Sequence, residues 1–241
     1  MKIIFIRHGD PCYNSYSLTE KGKKEVELLG QMLLKNEISS LYSGSSVRAK
    51  ETSDILKKIW EKKVSYKQWL NEFKHRITAD GKDDLYPWEM DLDLWCNNKE
   101  MLDYSSCLSS PIYASGNIES FATDIHRNID LLLEEKGYKR KGNYYEVTNA
   151  NKDCIVFVSH FATISVILSH LLNIPLVVML HSFWMGPSSY TTLVSEEQNK
   201  GKAIFRCIGY NNISHLSERE ELISYYGLQQ EIAQDKNNSE R

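Results

Sequence analysis

The sequence predicts an α/β protein, folded as a three-layer α/β/α sandwich with a mostly parallel sheet and an inserted lid region. Short apolar, β-branched runs alternate with longer stretches of helical periodicity, which is typical of strands joined by crossover helices. The length of 241 residues suits one domain with a sizeable insertion. We therefore expect a single domain over residues 1–228, with a lid-like insertion over about 73–116, and a polar C-terminal tail over 229–241.

The first part of the chain predicts two strand–helix units. The apolar run 2–6 has the composition of a buried strand, and it ends abruptly at a polar turn that contains Gly and Pro. Ser17 and Glu20 have the spacing of a capping box, and apolar residues at helical period follow them. The elements expected here are a helix over 18–35, a strand over 38–42, a helix from near Val47 and another strand over 64–70.

The middle of the chain, residues 73–116, has no clean period and is rich in aromatic, acidic and serine residues. It is longer than an ordinary loop, so we interpret it as a lid. Beyond it, an amphipathic helix ends at Gly137, and the apolar run 154–158 predicts a second buried strand. The remaining expected elements are an apolar helix that ends before Pro175 and two strands over 190–194 and 203–208.

Composition narrows the class of protein. A net charge of −3 provides no general cationic field, so nucleic-acid binding is not expected. Five scattered cysteines, without zinc or C-x-x-C spacing, are typical of free thiols in a reducing compartment. The sequence shows neither a secretory h-region nor the roughly 20 apolar residues of a membrane span. We expect a cytoplasmic protein without a membrane partner; its oligomeric state is left open, a homodimer included.

Charged and polar residues stand at the ends of the predicted strands and the starts of the predicted helices. Open parallel sheets bind ligands at the carboxyl ends of their strands, and helix N-termini favour anions. Guanidinium groups add permanently charged, bidentate contacts to phosphate. Each residue has a plain alternative, such as a solvated turn, a surface Arg, a solvated Glu or a helix cap. Their shared placement nevertheless predicts a phosphate site formed by Arg7, His8, Arg48, Glu72 and His160.

Four segments carry a family resemblance: Arg7-His8-Gly9, Leu18-Thr19-Glu20-Lys21-Gly22, Arg48-Ala49-x-x-Thr52 and Ser159-His160. Together they resemble the histidine phosphatase superfamily, the phosphoglycerate-mutase-like enzymes. The resemblance runs from Met1 to about residue 228, and the run 181–192 is similar to a bacterial phosphatase subgroup. It implies the fold predicted above and a phosphatase that acts on a small phosphorylated metabolite.

The resemblance also implies a role for each residue of the predicted site. His8 is the nucleophile, and Glu72 is the proton donor. Arg7, Arg48 and His160 bind the phosphoryl group, and His160 is counted as catalytic as well. No cofactor and no metal are expected, because the Arg and His residues neutralise the charge on the phosphoryl oxygens. Further substrate contacts are expected from Asn14, Arg76 and His181.

Two other functions and one other fold are alternatives to a metal-independent phosphatase with a phosphohistidine intermediate. A phosphoglycerate-type mutase is disfavoured, because such mutases carry Glu-Ser-x-Trp-Asn where residues 10–14 read Asp-Pro-Cys-Tyr-Asn. A non-catalytic phospholigand-binding protein would not need both His, both Arg and the Glu. A flavodoxin-like nucleotide domain would need a Gly-rich phosphate loop after its first strand. The sequence does not name the substrate.

Overall fold

Ten strands and eight α-helices make up the part of the chain that the computed structural model describes, residues 1–12 and 14–217. The strands are β1 (Lys2–Arg7), β2 (Ser40–Ser43), β3 (Val64–Tyr66), β4 (Ile77–Ala79), β5 (Lys82–Leu85), β6 (Tyr138–Lys141), β7 (Tyr144–Val147), β8 (Cys154–Ser159), β9 (Tyr190–Asn199) and β10 (Lys202–Asn212). The helices are α1 (Glu20–Leu33), α2 (Val47–Trp60), α3 (Leu92–Trp95), α4 (Pro111–Ser115), α5 (Ile118–Glu135), α6 (Phe161–Leu172), α7 (Leu176–Ser182) and α8 (Ser214–Ser217). The predicted tail, and the end of the predicted 1–228 domain, lie outside the described residues.

Eight strands form one central sheet in the order β3-β2-β8-β1-β9-β10-β7-β6. The first four of these strands run parallel, so their carboxyl ends lie at the same edge. The other four continue the sheet with antiparallel pairing. Four residues of the predicted phosphate site follow strands of the parallel half: His8, Arg48, Glu72 and His160.

Helices cover both faces of the sheet. Helices α1 and α2 pack on one face, where Ile4 and Val156 point, and α5 and α6 pack on the other, against Phe5 and Phe157. Every residue of β8 is buried, because this strand has helices on both sides. The predicted three-layer α/β/α sandwich is confirmed.

The start of α1 differs from the predicted capping box. Thr19, not Ser17, is the N-cap, and its hydroxyl accepts a hydrogen bond of 2.9 Å from the backbone N–H of Gly22. Thr19 also donates to the carboxylate of Asp10 at 2.9 Å. A contact with the turn after β1 therefore determines which residue caps α1. The spacing of residues at the start of the helix does not reveal this contact.

Other differences lie in segments whose structure depends on distant contacts. The predicted strand 64–70 is extended only as far as Tyr66 and then forms a 3₁₀ turn over Gln68–Leu70. The β6–β7 hairpin, with Gly142 at φ +59°, and helix α7 were not predicted. The 3₁₀ turn matters for the site, since it leads directly into Asn71 and Glu72.

Residues 73–116 contain the β4–β5 hairpin and the short helices α3 and α4. Phe73, Met101 and Tyr113 anchor this region in the core on the α5–α6 side of the sheet. Its interpretation as a lid stays a prediction. In the described part of the chain, no helix combines the length and the apolar character needed to cross a membrane.

Candidate active site

Four loops at the carboxyl edge of the parallel strands deliver the central side chains. His8 directly follows β1, and His160 directly follows β8. Arg48 is the second residue of α2, which follows β2, and Glu72 comes after the 3₁₀ turn that follows β3. The structure thus brings together residues that are up to 152 positions apart in the sequence, from His8 to His160.

His8 is buried at 2% exposure, and both of its ring nitrogens have partners. Nε2 lies 3.0 Å from Nε of Arg48, which can only donate, so Nε2 is an acceptor. Nδ1 lies 2.8 Å from the Gly9 carbonyl oxygen, which can only accept, so Nδ1 carries the proton. The contacts therefore define a neutral imidazole whose Nε2 lone pair faces Arg48.

Arg48 connects His8 to Glu72. Its Nη2 donates to Glu72 Oε2 at 3.1 Å while its Nε donates to His8. The second oxygen of Glu72 accepts from the backbone N–H of Phe73 at 3.1 Å. Because one planar guanidinium contacts both side chains, the positions of His8 and Glu72 are set relative to each other.

His160 completes the cluster from the far side. It is the N-cap residue of α6 and has no exposed surface. Its Nδ1 lies 3.3 Å from Glu72 Oε2, and its Nε2 lies 3.0 Å from the hydroxyl of Ser46. The rings of His8 and His160 are 5.0 Å apart between centroids. Two imidazoles, a guanidinium and a carboxylate therefore surround one small space.

Arg7 lies beside this cluster, and it influences the ionisation of both His8 and Glu72. Its Nη1 donates to the carbonyl oxygen of Met185, in the loop before β9. The backbone of this loop also bonds the His8 turn, since Ser188 N donates to His8 O at 3.0 Å. The loop before β9 therefore fixes the turn that carries Arg7 and His8.

The cluster shifts two ionisation equilibria. Burial lowers the pKa of His8 well below its ordinary value, and the nearby His160, Arg7 and Arg48 lower it further. For Glu72, burial raises the pKa, but the combined influence of His160, Arg48 and Arg7 is larger and lowers the pKa overall. In the free site His8 is thus a neutral imidazole and Glu72 an ionised carboxylate.

Sequence reasoning missed several residues that hold the site. Asn71 accepts hydrogen bonds from the backbone of the loop before α2. Thr52 accepts from Gly9 N at 3.0 Å, and Ser159 Oγ donates to the Leu70 carbonyl at 2.7 Å. Their small polar side chains give no distinctive signal, although Asn71 stands next to Glu72 and Thr52 belongs to the resembling Arg48 segment.

The three predicted substrate contacts are not joined to the cluster by any described bond. Asn14 is exposed in the turn after Pro11. The guanidinium of Arg76 lies 3.1 Å from the ring centre of Tyr86 and donates to the Asp84 carbonyl at 3.0 Å. His181 lies 3.0 Å from the Pro87 carbonyl oxygen through Nε2 and stacks on a tryptophan of the insertion. Arg76 and His181 therefore hold residues 73–116 in place, and their contact with substrate stays a prediction.

His8, Glu72 and His160 are also a group that could hold a metal ion, with ligand atoms within 4.8 Å of one another. Two imidazoles and one carboxylate suit transition metals. However, Arg48 already donates to the facing atoms of His8 and Glu72, and Arg7 adds a second positive charge. A divalent cation would have to displace a guanidinium, so the charges around the cluster suit an anion better.

This arrangement has the components needed to transfer a phosphoryl group. Cationic donors surround the space, which stabilises an anion whose charge is spread over equatorial oxygens. A neutral imidazole nitrogen supplies a nucleophile, and the adjacent carboxylate supplies a site for proton transfer.

Comparison with known proteins bears on the family and on the fold. Residues 3–96 match the family model of the histidine phosphatase superfamily (branch 1). A mutant phosphoserine phosphatase of Entamoeba histolytica, in complex with phosphoserine, has a similar fold, with a TM-score of 0.60 and 22% identity over 89% of this chain and 98% of that chain. No curated protein matches the chain.

Two further solved structures share the fold. A mycobacterial glucosyl-3-phosphoglycerate phosphatase has a TM-score of 0.57 and 18% identity, covering 87% of this chain and 98% of that chain. YhfR of Bacillus stearothermophilus has a TM-score of 0.57 and 18% identity, covering 89% and 98%. The match to the histidine phosphatase superfamily thus lies in residues 3–96, and these solved structures share the fold of most of the chain.

Proposed function

We propose that this protein is a metal-independent phosphatase that hydrolyses small phosphomonoesters through a phosphohistidine at His8. The observation that carries the proposal is the Nε2 lone pair of His8, held beside Arg48, Glu72 and His160. Nucleophile, cationic donors and proton-transfer group meet in one space, as a covalent phosphoryl transfer requires.

Substrate binding begins with the anionic phosphoryl group. Its oxygens take the hydrogen bonds of Arg48, so the Nε–H of Arg48 leaves His8 Nε2 and frees the lone pair. Arg7 and His160 supply further contacts, and the N–H groups at the start of α2 lack a side-chain cap, which favours an anion there. The negative charge of the substrate then raises the pKa of Glu72 from its lowered value, and Glu72 takes up a proton from solvent.

In the first chemical step, His8 Nε2 forms a bond to phosphorus and the bond from phosphorus to the ester oxygen breaks. Glu72 in its acid form donates a proton to the departing oxygen, which leaves as an alcohol. The low pKa of His8 favours this step, since it keeps the nucleophile unprotonated. The hydrogen bond from Nδ1 to Gly9 O stabilises the positive charge that develops on the ring.

In the second step, water attacks the phosphorus atom of the phosphohistidine. Glu72, now a carboxylate, takes a proton from the water as its oxygen bonds to phosphorus. The bond from His8 to phosphorus breaks, and inorganic phosphate leaves. Glu72 then releases its proton to solvent, and the site is restored with His8 neutral and Glu72 ionised.

The structural neighbours bear on the substrate class. Structures of the Entamoeba histolytica phosphoserine phosphatase contain phosphoserine or 3-phosphoglyceric acid, both of them small phosphorylated molecules. We extend this class to the present chain. Its cytoplasmic location stays a prediction.

The direct test is phosphate release from a panel of phosphorylated metabolites and of nitrophenyl phosphate, in buffer containing a chelator. We expect turnover without added metal and its loss in His8→Ala. The matched control is His75→Ala, since His75 packs against Phe121 outside the cluster. Activity that disappears with chelator and returns with a divalent ion would instead support metal-dependent hydrolysis at His8, Glu72 and His160.

A further inference from the structure

The side chain of Asn71 connects the segment that carries Glu72 to the loop that precedes α2 and Arg48. Its Oδ1 accepts hydrogen bonds from the backbone N–H of Ser45 at 2.6 Å and of Ser46 at 3.1 Å. Its Nδ2 donates to the Ser45 hydroxyl at 2.9 Å. One side chain, adjacent to Glu72 in the sequence, therefore holds both residues that precede α2.

The loop needs this support because its own N-cap residue is otherwise engaged. Ser46 is the N-cap of α2, a position whose hydroxyl commonly caps the helix. Here the hydroxyl lies 3.0 Å from His160 Nε2 and makes no capping bond. The start of α2, which carries Arg48, is fixed instead by the amide of Asn71.

The backbone around Asn71 is itself anchored to the His160 loop. Thr163 Oγ1 donates to the Asn71 carbonyl at 2.6 Å, and Ser159 Oγ donates to the Leu70 carbonyl at 2.7 Å. The approach is close: a Cβ at Gly44 would lie 2.7 Å from the Leu70 carbonyl oxygen, so only glycine fits there. These contacts join the loops that deliver Arg48, Glu72 and His160.

We propose that Asn71 is a positioning residue that sets Arg48 against Glu72 and His8. This inference rests on the proposed function for its kinetic test but not for its binding test. Asn71→Ala removes the Oδ1 atom that accepts hydrogen bonds from two backbone N–H groups. Each of these bonds is typically worth about a factor of five in an equilibrium or rate constant. We expect kcat/KM to fall about 10- to 100-fold on alkyl and nitrophenyl phosphates alike, and the binding of inorganic phosphate to weaken.

Two comparisons separate positioning from a general loss of structure. Asn71→Asp keeps an oxygen for the Ser45 and Ser46 N–H groups, so it should recover most of the activity that Asn71→Ala loses. Gln68→Ala is the matched control, since among the described residues the Gln68 side chain bonds only Asn71 Nδ2 and the Ser45 hydroxyl, and its backbone bond from Asn71 N at 3.0 Å survives the change. It should stay within about twofold of the wild type.

A double-mutant cycle with Arg48→Lys gives the decisive readout. If Asn71 acts through Arg48, then Asn71→Ala should cost much less in the Arg48→Lys background than in the wild type. Full additivity, or wild-type kcat/KM and phosphate affinity in a folded Asn71→Ala protein, would overturn the inference. Absence of turnover in the wild type would contradict the proposed function but not the inference about Asn71. That inference would still be tested by calorimetric binding of inorganic phosphate.

Discussion

Replacing Glu72 with Gln separates its proposed proton transfer from its structural contacts. Gln keeps the side-chain shape and an oxygen for the Phe73 N–H, which bonds Glu72 Oε1 at 3.1 Å. It loses the acidic proton and the charge-assisted hydrogen bond from Arg48 Nη2 at 3.1 Å, because the amide NH2 group replaces Oε2 and can only donate. The fold and the pocket should therefore survive the change.

The two losses differ in size and in their dependence on substrate. A hydrogen bond to a charged group is worth about 1.5–3 kcal/mol, so loss of the bond from Arg48 corresponds to roughly a 10- to 150-fold loss for every substrate. General acid catalysis is worth about 100- to 10,000-fold, but only where the leaving oxygen needs a proton. An alkyl phosphate releases a strongly basic alkoxide, whereas nitrophenyl phosphate releases a stabilised phenolate.

Rapid-quench measurement of His8 phosphorylation in the wild type and in Glu72→Gln distinguishes the loss of the proton from the loss of the hydrogen bond. We expect a loss of about 10- to 150-fold with nitrophenyl phosphate, and a further loss of at least about 100-fold with an alkyl phosphate. A burst with nitrophenyl phosphate is expected if hydrolysis of the phosphoenzyme becomes limiting. Equal losses on both esters would refute the donor role and direct attention to Asp83, Asp84 and Glu89 in the insertion.

Two further changes test other parts of the site and of the fold. Arg48→Lys keeps the charge but cannot bond His8 Nε2 and Glu72 Oε2 at once. Steady-state kcat/KM should therefore fall about 10- to 100-fold, and an unchanged value would contradict the role of the guanidinium. Burial lowers the pKa of His215 to about 4, and neither ring nitrogen has a hydrogen bond among the described residues. The unfolded state binds this proton below about pH 6.5 and the folded state does not, so stability falls from pH 6.5 towards 4, by up to about 3 kcal/mol. His215→Leu should remove that part of the pH dependence in urea unfolding, and an unaltered slope would show that His215 is not its source.

The convergence of the central residues could be predicted from the sequence. His8, Arg48, Glu72 and His160 each follow a strand of the parallel half of the sheet, and the carboxyl ends of parallel strands meet at one edge. Buried apolar runs such as β8 identify those strands without knowledge of the fold. Local sequence and one topological rule were sufficient for this part.

The supporting contacts could not be predicted, because they join distant segments. The bond between Ser46 and His160 spans 114 positions, and nothing in either neighbourhood signals it. Gly9, in the Arg7-His8-Gly9 segment, is subject to a constraint of the same kind. A Cβ at Gly9 would lie 2.8 Å from the Gly22 carbonyl oxygen, so the glycine permits close packing of the His8 turn on α1.

The central claim, a covalent phosphohistidine, is tested most directly by trapping it. Wild-type protein and Glu72→Gln are mixed with nitrophenyl phosphate, quenched in alkali to preserve a phosphoramidate, and examined by intact mass and peptide mapping. We expect one added phosphoryl group on His8 in the wild type, greater accumulation in Glu72→Gln, and none in His8→Ala. Turnover without any phosphorylated protein, or a phosphoryl group on another residue that persists in His8→Ala, would contradict it.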